Sequence, residues 1–128
     1  MIKWFEKHNK ISWTITVAIG LIIFYFSSLS FEKTPKLGGT GTNTIIYHII
    51  IFFLLTFFLL ISLVKGKNKD SISLAIILSF TYSLLDEFHQ YFVPGRSSSF
   101  SDVLLDSIGV FFSFILYSVS LKIRPQYR

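Results

Sequence analysis

Two long stretches without a charged residue, 11–31 and 37–64, constrain this chain more than any other feature. A run of about 18 or more predominantly apolar residues is long enough to cross the hydrocarbon core of a bilayer as a helix. Two shorter uncharged stretches follow, 71–85 and 107–121. Either alone fits a buried helix of a soluble domain. Beside two clear spans in a chain of 128 residues, they predict further membrane helices. The expected fold is all-α, an integral membrane bundle of four transmembrane helices at about 11–29, 45–64, 71–91 and 102–121, forming one domain over 1–128.

The first apolar stretch follows Lys3, Lys7 and Lys10, as the core of a signal peptide would. It runs to about Leu29, longer than the roughly 7–15 residues of such a core, and no small-residue cleavage pattern follows. An uncleaved first helix is expected. The chain has no cysteine, which removes disulfides, thiolate catalysis and zinc–sulfur sites. The net charge of +5 reads as lysines and arginines that set topology, not as a nucleic-acid surface.

The connections are short. Residues 30–44 contain Pro35, Gly38, Gly39 and Gly41, residues 65–70 form a basic turn, and residues 92–101 contain Pro94-Gly95. Nine of the twelve Lys and Arg residues fall in the N-terminal segment, the 65–70 turn and the C-terminus, against Lys33, Lys36 and Arg96 on the other side. The positive-inside rule then places both termini in the cytoplasm. Trp4, Phe5 and Trp13 fit an interfacial aromatic belt at that side.

The remaining polar residues are not scattered. Asp86 lies 16 residues from Asp70, and Asp106 lies 16 residues from Lys122, which is roughly 24 Å of helix in each case. His48 lies 17 residues from Lys65, about 26 Å. Three helices therefore bring ionisable groups to one depth, near the outer border of a core roughly 30 Å thick. Ser79, Tyr82, Ser83, Asp86, His89 and Gln90 form one helical stripe, and Asp102, Asp106, Gly109, Ser113 and Tyr117 form another. Ser12, Thr16 and Gly20 form a small-residue ridge on the first span. The second span, ringed with Phe and Leu, suits lipid contact. Polar side chains facing lipid are costly, so the stripes should turn inward.

The expected outer cluster comprises Tyr47, His48, Asp86, Glu87, His89, Gln90, Arg96, Ser101, Asp102 and Asp106. Four acids close together cannot all ionise in a dry site. The grouping points to a wet, outward-facing pocket that holds a cation, or a cationic or phosphate-bearing ligand gripped by Arg96. Asp86 and His89, with Glu87, are the candidate catalytic acid and base. Tyr47, His48, Gln90, Arg96 and Ser101 are candidate ligand-binding residues. Asp102 and Asp106 are candidate ligands for a metal, a divalent cation being the cofactor the acids suggest. Glu87 sits about 100° around the helix from Asp86 and could face a neighbouring helix or water. Asp102 could also act as a helix cap. His8, in the charged N-terminal segment, is expected to be inert.

The run Asp86-Glu87-Phe88-His89-Gln90-Tyr91-Phe92-Val93-Pro94-Gly95-Arg96, followed by serines and Asp102, resembles the VanZ-like family. So do Tyr47-His48 at the head of the preceding helix and Asp106-x-x-Gly109 in the last. The family pattern often carries Asn where Asp106 stands, so a fixed charge there is not part of what the resemblance implies. The resemblance implies a small multi-pass protein of the bacterial plasma membrane. It also implies an association with low-level resistance to the glycopeptide teicoplanin. Asp102-x-x-x-Asp106-x-x-Gly109 also resembles half of the metal motif of lipid phosphotransferases that use CDP-alcohols, but the other half is absent. Three functions remain open at this point. The pocket could bind or modify a cell-envelope lipid or its headgroup, as a hydrolase or transferase on a lipid-linked phosphate or ester. It could engage a lipid, a lipid-linked envelope precursor or the glycopeptide without chemistry. Or the chain could be a structural subunit of a membrane complex.

Overall fold

The computed structural model describes residues 1–30, 42–96 and 98–123. All its regular elements are helices: α1 (Ile2–Lys7), α2 (Asn9–Ser27), α3 (Thr42–Val64), α4 (Ser71–Tyr91) and α5 (Phe100–Ile123). The last four are long and apolar enough to cross a membrane, at nearly the ranges expected from the uncharged stretches. The expected loop over 30–44 lies largely outside the described residues, as do Arg124 and Arg128. The N-terminal segment is more ordered than its charge suggested. It forms the short helix α1, which ends at His8, and Ser12 Oγ reaches back to donate to Phe5 O at 2.8 Å.

The second span, α3, is the main departure from expectation. Its Phe- and Leu-rich surface suited lipid contact, yet α3 is the most buried helix and packs against all the others. Phe52, Leu55, Leu60, Ile61 and Val64 are core residues. The reason is physical. A helix apolar all round is equally at home against lipid or protein. The amphipathic α2, α4 and α5 must turn their polar stripes away from lipid, so they close around the one helix with no stripe of its own. The outward faces are correspondingly apolar, with Leu21, Ile77, Leu85, Phe88, Phe111 and Phe112 all exposed.

Small residues set the closest approach. Gly109 of α5 lies against the α3 backbone. A Cβ added there would meet Ile49 O at 2.4 Å and Phe53 N at 2.9 Å. The Ser12–Thr16 ridge of α2 is buried as expected, and Tyr82 Oη of α4 donates to Gly20 O at 2.6 Å. Thr56, Ser79 and Ser113 are fully buried and small enough to let α3, α4 and α5 close.

The ends of the bundle are pinned differently. At the end carrying α1 and the α3–α4 turn, Tyr117 Oη donates to Glu6 Oε1 at 2.8 Å and accepts from Gly66 N at 3.3 Å. The α3–α4 turn uses positive φ at Lys65 and Gly66. At the opposite end, Val93-Pro94-Gly95-Arg96 forms a tight turn. Gly95 has φ 76° and Arg96 N donates to Val93 O at 3.2 Å, the geometry for which Pro-Gly is selected. Ser30 Oγ donates to Pro94 O at 2.9 Å, tying this turn to the end of α2.

Gly109→Ala is expected to destabilise the bundle by about 1–3 kcal/mol, because the obstructing atoms are backbone and cannot rotate away. Gly20→Ala meets only the Tyr82 side chain, its Oη at 3.7 Å and Cζ at 3.9 Å. It is expected to be neutral or to stabilise by up to about 1 kcal/mol through helix propensity. Unfolding of the two variants in mixed detergent micelles checks the contrast.

Candidate functional site

The end of the bundle opposite α1 and the α3–α4 turn carries the polar cluster. Its centre is a contact between α3 and α5. His48 Nδ1 lies 2.8 Å from Asp106 Oδ1, with His48 at 6% exposure and Asp106 at 0%. The second oxygen of Asp106 accepts from Ser83 Oγ of α4 at 2.6 Å. One carboxylate thus joins three helices, and both its oxygens are occupied. The other imidazole nitrogen, Nε2, faces Asp102 Oδ2 at 3.8 Å. The ring therefore stands between two acids one helical turn apart on α5.

The heptad-like spacing of the stripes explains why these groups meet. Asp106, Gly109 and Ser113 recur at three and four residues, so the glycine that lets α5 approach α3 lies on the same face as the acid that must reach it. His48 and Phe52 lie one turn apart and both are buried. Gly109 is therefore a positioning element for the His48–Asp106 contact as well as a packing residue.

Asp86 and Glu87 extend the cluster on α4. Asp86 accepts from Gln90 Nε2 at 2.8 Å, and Ser27 of α2 places its hydroxyl beside the same carboxylate. Asp86 is within electrostatic range of both Asp106 and His48. Glu87 turns to the neighbouring helix and not to water. At 5% exposure, it accepts from the backbone N–H of Ser99, just before α5, at 2.8 Å through Oε2. Its Oε1 is buried without a hydrogen-bond partner among the described residues. Tyr47 also joins the cluster. Its ring packs edge-on to His48 at 5.6 Å, its hydroxyl is buried, and it lies within electrostatic range of Asp86, Asp106 and Arg96.

Two expected members stand apart. His89 faces α2 at the rim, its ring 4.9 Å from that of Phe24 and tilted by 31°, with Nε2 3.0 Å from Ser28 Oγ. It has no hydrogen bond to Asp86; that carboxylate is held instead by Gln90, one turn further on. Ser101 is exposed in the first turn of α5, where its N–H donates to Ser99 Oγ at 3.2 Å. The described residues include no group of three or more His, Asp or Glu arranged to hold a metal ion. Asp102 and Asp106 are turned to opposite nitrogens of one imidazole.

Sequence reading missed Ser27 and Ser28 as neighbours of the α4 acids, and it placed Ser83 on a stripe without assigning it to Asp106. A signal for Ser27 was present. It continues the buried series Ser12, Thr16, Ile19, Ile23 at helical spacing.

Removing one partner of a buried charged pair leaves the other uncompensated, at a cost of about 3–5 kcal/mol. His48→Ala and Asp106→Ala are each expected to destabilise the protein on that scale, and the double variant by clearly less than their sum. His89→Ala, at the rim, is expected to cost less than about 1 kcal/mol. Unfolding of the parent and the four variants in detergent completes the double-mutant cycle and its control.

A family model described as VanZ/LLP1 matches residues 3–121. No curated protein and no solved structure matches the chain. The matched segment includes the first three spans, the fourth to within two residues of its end, and every member of the polar cluster, so the protein is a multi-pass membrane protein belonging to the VanZ/LLP1 family.

Proposed function

We propose that the polar end of the bundle faces the outside of a bacterial plasma membrane and binds or modifies a cell-envelope lipid at its headgroup. One observation carries this reading. His48, Asp86, Glu87, Asp102 and Asp106, from three separate helices, are gathered in one largely buried group inside an otherwise apolar bundle. Ionisable residues inside membrane helices are expensive and mark function by default. The placement of basic residues supports the orientation, since among the described residues Lys3, Lys7, Lys10, Lys65, Lys67, Lys69 and Lys122 lie at the other end and Arg96 at this one. At that depth the cluster meets headgroups, and a change in the envelope lipids there alters how a lipid-binding glycopeptide such as teicoplanin reaches its target.

As chemistry, the geometry favours His48 over His89 as the base. Asp106 holds Nδ1 and fixes the tautomer, leaving Nε2 to take a proton, the arrangement that orients histidines in hydrolytic sites. His48 Nε2 would accept the proton of an attacking water or hydroxyl and return it to the leaving oxygen of a phosphate or ester. Arg96, on the turn above the site, would hold the anionic group. The non-catalytic alternative, binding or shielding without a product, draws on the same cluster. Its support is that Asp86 and Asp106 already hold protein donors, as in a rigid receptor.

Purified protein incubated with labelled envelope lipids is expected to release a labelled product. His48→Ala and Asp106→Asn should lower the rate by about 100-fold or more, with His89→Ala close to the parent. Binding of lipid without any product selects the non-catalytic reading. Neither binding nor turnover of any lipid, with glycopeptide susceptibility unchanged in cells carrying His48→Ala or Asp86→Asn, would overturn both.

A further inference from the structure

Glu87 lies on α4 about two turns above a groove between α4 and α5. Ile76 and Phe80 precede it by eleven and seven residues, which places all three on one line of the α4 surface. Across the seam, Ser107, Val110, Phe111 and Phe114 of α5 complete an apolar groove of about 250 Å³. The groove opens on the side of the bundle that faces lipid. Its nearest α4 residue, Phe80, lies about 10 Å inward of Glu87 along the helix. That separation is comparable to the distance between a lipid's headgroup amine and the start of its acyl chain.

Charge decides what the upper end accepts. The described cluster holds four carboxylates, Asp86, Glu87, Asp102 and Asp106, against Arg96 and His48. His48 is engaged by Asp106 and faced by Asp102. Glu87 receives only a neutral backbone N–H at Oε2, while its buried Oε1 lacks a hydrogen-bond partner among the described residues. A buried acceptor left in this condition is costly, and a charged donor relieves it best. An ammonium group supplies such donors, whereas an anionic headgroup brings only further acceptors to Glu87 Oε1.

Building on the lipid-headgroup reading above, we propose that the α4–α5 seam selects lipids bearing a primary ammonium headgroup, with the ammonium at Glu87 and one acyl chain in the groove below. The lipid reaches the site sideways from the leaflet, and its phosphate lies toward Arg96. Discrimination rests on one carboxylate oxygen.

The full-length protein in detergent can be titrated with phosphatidylethanolamine, phosphatidylglycerol and glycerophosphoethanolamine, with bound lipid read by native mass spectrometry. Phosphatidylethanolamine is expected to bind about tenfold more tightly than phosphatidylglycerol. Glu87→Gln should abolish that preference. Its amide oxygen can still accept from Ser99, so the fold is retained while the charge is lost. Ser107→Trp, at a partly exposed position lining the groove, should weaken phosphatidylethanolamine and leave the chainless headgroup unaffected. Phosphatidylglycerol binding as tightly as phosphatidylethanolamine, or a preference untouched by Glu87→Gln, overturns the ammonium assignment while lipid binding itself stands. Glycerophosphoethanolamine binding as tightly as the full lipid overturns the groove. Failure of every lipid to bind is the separate failure of the underlying reading.

Discussion

A polar group inside an apolar bundle must find its partner within the protein, because the surrounding lipid offers none. The contact of His48 with Asp106 is where this requirement is most severe, since a carboxylate with no exposure is joined to two other helices at once. Desolvating such a group costs several kcal/mol unless its hydrogen bonds are complete. The arrangement of α3, α4 and α5 follows from completing them. Gly109 allows α5 close enough to α3 for the bond to form, and Ser83 brings in α4. Removing the polar partners would leave three apolar helices with little to define their rotation, since lipid and neighbouring side chains are equally apolar.

The same requirement separates two kinds of polar residue at this end of the molecule. Asp106 is satisfied entirely by protein and serves to hold His48 in place. Glu87 is half satisfied, and His48 presents its second nitrogen beside Asp102. Groups of the first kind give the site its geometry, and groups of the second kind are available to a ligand. His89, prominent in the linear motif, belongs to neither. It packs on Phe24 at the rim and helps fasten α2 to α4.

Much of this was legible in the amino-acid order, for stated reasons. Charge-free length predicted the four spans, and residue counting from their charged ends put His48, Asp86 and Asp106 at one depth. The structure brings two of these into direct contact and the third within electrostatic range. Helical spacing predicted that Ser79, Ser83, Asp86 and Gln90 turn inward, as they do. What failed was the placement of α3. Periodicity locates a polar stripe, and α3 has none, so nothing in its own sequence distinguishes the lipid from the centre of the bundle. The partners of Glu87 and His89 were equally hidden. Ser99 acts through its backbone and Ser28 through a helix end, and neither leaves a pattern in side-chain type.

The account rests on the imidazole of residue 48 touching the carboxylate of residue 106 inside the membrane. Solid-state NMR of protein labelled at histidine nitrogen and aspartate carbon, reconstituted in lipid bilayers, measures that contact directly. Variants lacking His8 and His89 remove ambiguity of assignment. A strong dipolar coupling between the His48 Nδ1 and the Asp106 carboxyl carbon, consistent with the 2.8 Å contact, is the predicted result. A His48 ring with no coupling to any aspartate, in protein that remains folded, would contradict it.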